Sequence, residues 1–303
     1  MRTLVFSVPQ EYEKAKLKGF LLGFCGLSSG LLTELKHGPS DGITVNGTHA
    51  TVLQPLRAGD TVTLRLRESC GELPEAVPLP FPILYEDDDF IAVDKPSAMP
   101  MYPTPGHDRD SLANAFAFWC AQNGTSFAFR PVYRLDRDTT GLVLLAKNRY
   151  SAYRLSGRIQ KHYLAVCEGV LSGCGTVDLP IGYLPGHTVQ HAVVPDGRSA
   201  VTHWTALESG SGHTLLCLRL ETGRTHQIRV HLSHMGYPLA GDDMYGGSLG
   251  KIGRQALHCF CAEFSHPVSR RRILLQDPLP QDMTDLLRGC GISDCSVPEP
   301  KTF

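Results

Sequence analysis

The feature that most constrains the fold is the apolar run GLVLLAK (141–147), which follows directly on the polar loop RLDRDTTG (134–141). Successive side chains of a strand point to opposite faces, so a run that is apolar at consecutive positions predicts a strand with both faces covered. We therefore expect a central strand here, with the polar loop at its entrance.

Strand-like stretches surround this run, whereas helical stretches are fewer. The strand-like stretches are ILYEDDDFIAVDKP (83–96), KHYLAVCEGV (161–170), VTHWTALES (201–209), HTLLCLRLE (213–221) and QALHCFCAEFSHP (255–267). Because strands and helices do not alternate, the order predicts an α+β fold with a mixed, largely antiparallel sheet. Neither a GxGxxG nor a Walker A pattern occurs, so no nucleotide cofactor is indicated.

The charge balance and the apolar runs narrow the class of protein. The formal net charge is only −1, so a polyanionic partner must be held by a local patch rather than by overall charge. No apolar run approaches the roughly 18 residues of a membrane-spanning helix. The first apolar stretch is also too short for a signal peptide, and we expect a cytoplasmic protein without membrane contact.

The ten cysteines do not form a recognisable metal-binding pattern. No CxxC pair occurs, and strand alternation is expected to place Cys259 and Cys261 on one face with no second pair at ligand spacing. We expect buried thiols in a reducing compartment and no metal.

Composition divides the chain into four segments. A proline-rich stretch with little periodicity, 71–82, predicts a linker. It separates a small α+β unit, 1–70, from a large unit, 83–288, and the last segment, 289–303, is expected to be a flexible tail. In the small unit, LSSGLLTELKHGP (27–39) has helical spacing and Asn46-Gly47 indicates a turn between strands. In the large unit, DSLANAFAFWCAQNG (110–124) predicts a helix capped by Asp110 or Ser111 and ended by Gly124.

The polar loop contains the first candidate for chemistry. Asp136 lies between Arg134 and Arg137, and a carboxylate beside cations stays ionised and is held in place. Such a group can act as a nucleophile or a base. The same residue types are also typical of a surface turn.

A tyrosine in the next strand is the second candidate. Alternation puts Tyr163, Ala165 and Cys167 on one face and Leu164 and Val166 on the other. Since its neighbours on that face are small, a flat ligand could stack on the Tyr163 ring, or the phenol could exchange a proton. The alternative is a structural tyrosine of the sheet.

The stretch ETGRTHQIRVHLSHMG (221–236) concentrates Arg224, His226 and Arg229 within six positions. Its spacing predicts a helix that starts at Arg224 and ends at Gly236, with an apolar stripe opposite His226 and Arg229. Free N–H groups at such a helix start, beside Arg224, favour a phosphate. Cations at this end are otherwise disfavoured by the helix dipole, so an anionic partner is indicated.

Three further stretches are weaker candidates. The triplet Arg270–Arg272 could contact phosphates, although a charge run is usually solvated. The pair Asp242-Asp243 indicates a turn near the site, and Lys95-Pro96 begins a proline-rich loop that could line a cleft.

In this order, the motifs resemble the RluA family of RNA pseudouridine synthases. The matching motifs are RLD with DTTGL, then K-x-Y-x-A, then GRTHQIRVH, then GYPLAGD with YGG, then LHCFCAEFSHP. The resemblance covers roughly residues 81 to 285. Three positions depart from the family pattern: Tyr133 replaces a common His, and Ala98 and Tyr102 replace a common Gly and His.

The resemblance implies a role for each matching residue. Asp136 corresponds to the catalytic aspartate, Tyr163 to the tyrosine that stacks on the target base, and Arg229 to the basic residue that pairs with the aspartate. Substrate contacts are expected from Arg134, Leu135, Thr139, Arg224 and His226.

The implied reaction is the isomerisation of uridine to pseudouridine in structured RNA, with ribosomal RNA favoured over transfer RNA, without cofactor or metal and by a monomer. The small unit resembles a divergent S4 RNA-binding domain. Asp136 would attack either C1′ of the ribose or C6 of the uracil, and the sequence does not choose between them.

Two other functions remain open at this point. A nucleoside or glycoside hydrolase would use Asp136 together with a second carboxylate. A non-catalytic RNA-binding or ribosome assembly factor would not need Asp136 at all.

Overall fold

The computed structural model of the chain describes residues 1–68 and 71–293. Of the predicted tail, 294–303 lies outside these described residues. Within them, no helix is long and apolar enough to cross a membrane.

Residues 1–68 form an N-terminal unit with its own core. Its strands and helices are β1 (Arg2–Ser7), α1 (Leu17–Gly23), α2 (Ser29–His37), β2 (Ile43–Val45), β3 (Thr48–His49) and β4 (Thr61–Leu66). The sheet is antiparallel in the order β1-β4-β2-β3. The predicted helix and turn are both present, since Ser28 caps α2 and Asn46-Gly47 joins β2 to β3 with positive φ at both residues.

The C-terminal unit is built around a nine-stranded sheet. Its elements are β5 (Ile83–Glu86), β6 (Phe90–Lys95), α3 (Leu112–Gln122), β7 (Thr140–Ala146), α4 (Arg149–Leu155), β8 (Gln160–Glu168), β9 (Cys174–Asp178), β10 (Ile181–Tyr183), β11 (His191–Val193), β12 (Val201–Gly210), β13 (His213–Leu220), α5 (Gln227–His234), β14 (Leu257–Ser265), β15 (Arg272–Gln276) and α6 (Gln281–Cys290). The strand order is β5-β6-β7-β14-β8-β13-β12-β9, and β15 pairs with β14. The hairpin β10–β11 stands apart from this sheet.

The predicted central strand is confirmed. All seven residues of β7 are buried, and the strand lies between β6, to which it is antiparallel, and β14, to which it is parallel. The other strand pairs of the described chain are antiparallel, as the α+β prediction requires. The predicted helix is α3, with Ser111 rather than Asp110 as its cap.

The predicted alternation of β8 is also present. Tyr163, Ala165 and Cys167 pack into the core that contains α3 and α5, while Leu164 and Val166 pack against α6 on the opposite face. The sheet is therefore covered on both sides, and Tyr163 faces the α3–α5 side.

The expectation that Cys259 and Cys261 share a face is wrong. A β-bulge interrupts the pairing of β14 with β8 between these two residues. Cys259 consequently packs on the α3–α5 side and Cys261 on the α6 side, because one extra residue reverses the facing of those that follow. Both thiols are free and buried.

The two units are packed against each other through α4, a helix that the sequence did not indicate. Tyr150 of α4 is buried in the core of the N-terminal unit, where its hydroxyl donates to the Cys25 carbonyl oxygen at 2.8 Å. Arg2 of β1 pairs with Asp89 of the C-terminal unit at 2.7 Å. These contacts hold the N-terminal unit against the first turn of α4 and against the residue that precedes β6.

Both predicted irregular segments pack against the core where the structure describes them. In the proline-rich stretch 71–82, Leu73, Leu79 and Phe81 lie against the α3–α5 core. The segment 289–303 was expected to be a loose tail, but α6 extends to Cys290 and Ile292 is buried beside it.

Candidate active site

A cavity of about 380 Å³ opens between the loop that precedes β7, strand β8 and the segment that leads into α5. Every residue that the sequence singled out for catalysis or substrate contact lines it. These residues are Arg134, Leu135, Asp136, Thr139, Tyr163, Arg224, His226 and Arg229. Residues that are far apart in the chain therefore meet at one opening.

The loop that carries Asp136 is a turn, as its composition predicted, and it also presents a carboxylate to the cavity. The Asp136 carbonyl oxygen accepts a hydrogen bond from Thr139 N at 3.1 Å, and the Asp136 side chain is 27% exposed. Gly141, two residues after Thr139, has φ +110°, and a side chain there would collide with the backbone of Cys259. Glycine is thus required where the loop enters β7.

Lys95 supports this loop from behind. It is fully buried, and none of the residues of the proline-rich loop that it begins lines this cavity. Its Nζ donates to the carbonyl oxygens of Pro96, Met99 and Arg137 at 2.8–2.9 Å. Burial lowers the pKa of Lys95 to about 7, against the opposing charges of Asp138 and Asp136. Lys95 ties the 96–99 loop to the residue that follows Asp136.

Arg229 lies close to Asp136 but is held by another carboxylate. Its Nη1 is 3.6 Å from Asp136 Oδ2, whereas its Nε and Nη2 donate to Asp242 at 2.7 Å each. Its guanidinium also lies 4.8 Å from the centre of the Tyr245 ring. Burial disfavours the charge of Arg229, but Asp242 and then Asp136 outweigh this and raise its pKa. Sequence reasoning placed Asp242 in a turn near the site and missed its role as the partner of Arg229.

His226 approaches the same carboxylate oxygen of Asp136. Its Nε2 is 4.0 Å from Asp136 Oδ2, and its Nδ1 is 2.8 Å from the Tyr245 hydroxyl. Burial lowers the pKa of His226, Asp136 opposes this shift, and Arg229 adds to it. The ring is therefore neutral at physiological pH, so the positive charge beside Asp136 comes from Arg229.

The helix after this segment begins later than predicted. α5 starts at Gln227, and its N-cap His226 has φ 56°, in the left-handed region. Arg224 therefore precedes the helix. Its backbone N–H donates to the Gln227 side-chain oxygen at 3.0 Å, so it is not free for a phosphate as expected. Its Nε donates to the Ser199 carbonyl oxygen at 2.9 Å.

Gln227 organises the segment before α5, a role that the sequence did not suggest. Its side-chain oxygen also accepts from the Thr222 hydroxyl at 2.8 Å, and its Nε2 donates to the Val201 carbonyl oxygen at 2.9 Å. Since Gln227 is buried, these bonds lock the approach to His226 and Arg229. The sequence alone does not indicate this role of Gln227, because the partners of its Nε2, Val201 and Thr202, come from the distant strand β12.

Tyr163 forms part of the apolar wall of the cavity. It is 5% exposed, and the apolar residues Val132, Leu220, Ile228 and Leu257 complete this wall. Burial, with smaller contributions from Cys259 and Asp136, raises the pKa of Tyr163 well above its ordinary value. The phenol therefore stays neutral, which suits a ring surface better than a proton acceptor.

The cavity does not offer the second carboxylate that a glycoside hydrolase needs. Among the described lining residues Asp136 is the only acidic one. Asp138 turns away to Arg137, at 3.1 Å, and Asp242 is committed to Arg229. A hydrolase with paired acids, typically about 5–10 Å apart across the sugar, is therefore not favoured.

The remaining polar clusters lie elsewhere. Arg270 packs over the Phe24 ring and Arg272 pairs with Glu263 at 2.6 Å, so two of the three arginines have structural partners. In the described chain, Asp87, Asp89 and His266 form the one group with metal-ligand potential. Its carboxylates already accept hydrogen bonds, Asp89 from Arg2 and Asp87 from His266. This group connects the two units rather than forming an open metal site.

Comparison with known proteins places this site in a family. A family model described as RNA pseudouridylate synthase matches residues 89–234. The chain is 40% identical over 274 residues to an uncharacterized RNA pseudouridine synthase, YjbO, of Bacillus subtilis, a match that covers 88% of this chain and 96% of that protein.

It is also 38% identical over 261 residues to ribosomal large subunit pseudouridine synthase D of Nitrosomonas europaea, over 81% of this chain and 76% of that protein. Among solved structures, human RNA pseudouridylate synthase domain containing 1 superposes with a TM-score of 0.56 at 26% identity, over 66% of this chain and 84% of that chain.

Proposed function

The chain belongs to the RluA-type family of RNA pseudouridine synthases and is an isomerase that acts on RNA, and from this premise we propose that it converts specific uridines of ribosomal RNA to pseudouridine with Asp136 as the nucleophile. The observation that carries the proposal is the isolation of one carboxylate among cationic and aromatic groups. Asp136 is the only acidic residue among the described residues lining the cavity; it lies 3.6 Å from Arg229, and Tyr163 lines the same cavity.

The reaction breaks the bond from C1′ to N1 and makes one from C1′ to C5. In one route an Asp136 oxygen bonds to C1′ while the electron pair of the broken bond stays on N1. After the uracil has turned, C5 attacks C1′ and displaces the carboxylate; C5 then loses a proton and N1 gains one. In the other route Asp136 adds to C6, and the bond from C1′ to N1 breaks with its electron pair left on N1. Once C5 has bonded to C1′, C5 loses its proton, the carboxylate is expelled from C6, and N1 gains a proton.

Both routes make the same demands on the surrounding residues. The target base must leave its stack, which costs a few kcal/mol. Tyr163 offers a ring surface for the detached uracil, and the neighbouring cations bind the displaced backbone and offset part of the cost. Arg229, fixed by Asp242, places a guanidinium nitrogen 3.6 Å from the Asp136 carboxylate and orients it toward the substrate.

The choice of ribosomal RNA rests on relatives. Several relatives 36–39% identical are named ribosomal large subunit pseudouridine synthase D. We assign the protein to the cytoplasm as a monomer, the segment 1–70 to an S4-like RNA-binding domain, and the segment 83–288 to the catalytic domain, with 71–82 between them.

The test compares wild type with Asp136→Asn on protein-free large-subunit ribosomal RNA and on total transfer RNA. We expect wild type to form pseudouridine in ribosomal RNA without change in RNA mass, and Asp136→Asn to lose more than about a thousand-fold in rate with RNA binding retained. Release of free uracil would indicate hydrolysis instead. Full activity of Asp136→Asn would overturn the assignment of the nucleophile. Pseudouridine formed in transfer RNA alone would overturn the assignment of ribosomal RNA as the substrate.

A further inference from the structure

One side of the cavity carries cations that have no acidic partners. Arg134 and Lys161 line the cavity, and Arg158 follows Gly157, which lines it too. Within the described chain, no carboxylate oxygen lies within 4.0 Å of a charged nitrogen of these three residues. Most other surface arginines have such partners: Arg2, Arg65, Arg67, Arg109, Arg130, Arg149, Arg272 and Arg288. In a chain of net charge −1, this is a local excess of positive charge that attracts a polyanion.

Aromatic rings support two of these cations. The Arg158 guanidinium lies 5.5 Å from the centre of the Tyr153 ring, and Lys161 Nζ lies 4.7 Å from the centre of the Tyr133 ring. Tyr153 itself is 45% exposed on α4. Guanidinium and phenol surfaces that lie side by side and face solvent can bind a phosphate and a base together.

Arg158 also has a structural role, which does not use all of its donors. Its Nη1 donates to the carbonyl oxygens of Tyr153 and Arg154, where α4 ends. Its Nε and Nη2 make no hydrogen bond to any described residue. Capping of α4 therefore explains the position of the guanidinium but leaves two of its three nitrogens available to a ligand.

The hairpin β10–β11 has a different character. The hairpin segment 181–197, which reaches the site through the contact of His191 with His226, contains no lysine or arginine. The His191 ring of this hairpin lies 5.7 Å from the His226 ring, and the Tyr183 ring lies 4.5 Å from the His191 ring, tilted by 35°.

Of the other arginines that line the cavity, Arg229 is paired with Asp242, and Arg224 donates through Nε to the Ser199 carbonyl oxygen. The cations on the α4 side have neither an acidic partner nor a bond that uses all of their donors, so we expect a nucleic acid backbone to bind on that side.

We propose that the RNA strand next to the target uridine crosses an α4 ridge formed by Arg134, Tyr153, Arg158 and Lys161. Its phosphates bind the three cations, and one of its bases stacks on Tyr153. The ridge runs from the cavity toward the N-terminal unit, into which the first turn of α4 inserts Tyr150. This inference rests on the proposed function, because it concerns how the same site holds its RNA.

The ridge can be tested through the salt dependence of binding. The probe is a fluorescent oligouridylate, and its Kd is measured between about 50 and about 200 mM salt. Each phosphate contact to a single strand contributes about 0.7 to the slope of log K against log salt. We expect Arg158→Gln to reduce the slope by about 0.7, Arg158→Lys to restore it, and Tyr153→Ala to weaken binding roughly 5- to 150-fold without changing the slope.

Arg288→Gln is the matched control, because it removes the same charge from α6, where Arg288 is exposed and pairs with Asp285. We expect it to leave both slope and affinity unchanged. Should Arg158→Gln loosen α4, seen as a lower melting temperature, Lys161→Gln provides the same slope test without touching the cap. A slope unchanged in both variants, or reduced equally by Arg288→Gln, would overturn the ridge.

Activity separates this outcome from failure of the proposed function. On ribosomal RNA, ridge variants are expected to raise KM and to retain kcat. If wild type forms pseudouridine and the ridge variants match it in KM and slope, the ridge is wrong and the function stands. If wild type forms none while the slopes change as expected, the ridge stands as an RNA surface and the proposed function fails.

Discussion

Arg229 donates two hydrogen bonds of 2.7 Å to Asp242, a residue whose side chain is fully buried, and only its third nitrogen faces Asp136 at 3.6 Å. Asp242 therefore cannot touch RNA, yet it sets the position of the cation beside the nucleophile. This makes Asp242 a positioning residue that acts through Arg229.

The first prediction concerns Asp242→Asn. Because it removes one partner of a buried ion pair, we expect the free energy of unfolding to fall by about 3–5 kcal/mol. We also expect kcat to fall while the Kd for RNA stays unchanged. Urea unfolding, single-turnover kinetics and RNA titration measure the three quantities. Asp285→Asn, which breaks the exposed pair with Arg288, should cost less than about 1 kcal/mol. A loss of RNA affinity in Asp242→Asn as large as its loss of kcat would contradict the positioning role.

A second prediction separates the ring of Tyr163 from its hydroxyl. Since the residue is 5% exposed and neutral, the ring surface is the part offered to the base. We expect Tyr163→Phe to keep a KM near that of wild type, and Tyr163→Leu, which fills the site without a ring, to weaken substrate binding about 5- to 150-fold. Steady-state kinetics on ribosomal RNA, with urea unfolding to confirm folding, provide the comparison. If Tyr163→Phe and Tyr163→Leu raise KM equally, the hydroxyl is the part that matters and the platform role of the ring is wrong.

The third prediction concerns backbone conformation. Ala98 lies at a position where the RluA family commonly has Gly. It adopts φ 58°, a left-handed conformation that costs an L-residue about 1–2 kcal/mol. Allowing for the entropy that glycine adds to the unfolded chain, we expect Ala98→Gly to raise the free energy of unfolding by up to about 1 kcal/mol. Ala121→Gly, on the exposed part of α3, should change it by a similar amount in the opposite direction. Thermal melts of the two variants decide the sign of each change. A lower melting temperature in both variants would show that Ala98 is not strained.

Periodicity accounts for what the sequence could predict. The run that became β7 was recognisable because a strand covered on both faces is apolar at consecutive positions. The two faces of β8 were predictable because successive side chains of a strand alternate, and the helix α3 because Ser111 precedes an apolar stretch. The bulge between Cys259 and Cys261 could not be predicted, since one inserted residue leaves no trace in composition.

The candidate site divides in the same way. Asp136, Tyr163 and Arg229 lie in motifs of strongly polar or aromatic residues within apolar surroundings. Asp242 holds Arg229, and Gln227 ties the start of α5 to β12. Both contacts join segments that are separate in the sequence, so they become apparent only in the folded chain.

The last prediction follows from a buried acidic pair. Burial, together with hydrogen bonding to Asp94, raises the pKa of Asp277 to about 8, and burial also raises the pKa of Asp94. His258, whose Nε2 is 3.8 Å from Asp277, does not supply a compensating charge, because burial lowers its pKa to about 4. The pair therefore holds a proton in the folded protein at neutral pH.

The sign of the pH effect follows from proton counting. An unfolded aspartate loses its proton near pH 4, whereas Asp277 keeps it until about pH 8 in the folded state. The folded state binds more protons in this window, so the stability contributed by Asp277 is complete below about pH 4 and is lost as pH rises through 8, with a slope of up to about 1.4 kcal/mol per pH unit. We expect Asp277→Asn to become steadily more stable relative to wild type from pH 5 to pH 8 in urea unfolding, because its amide can donate to Asp94 without titrating. The exposed Asp196→Asn should run parallel to wild type. A difference between Asp277→Asn and wild type that does not change with pH would show that the pair shares no proton.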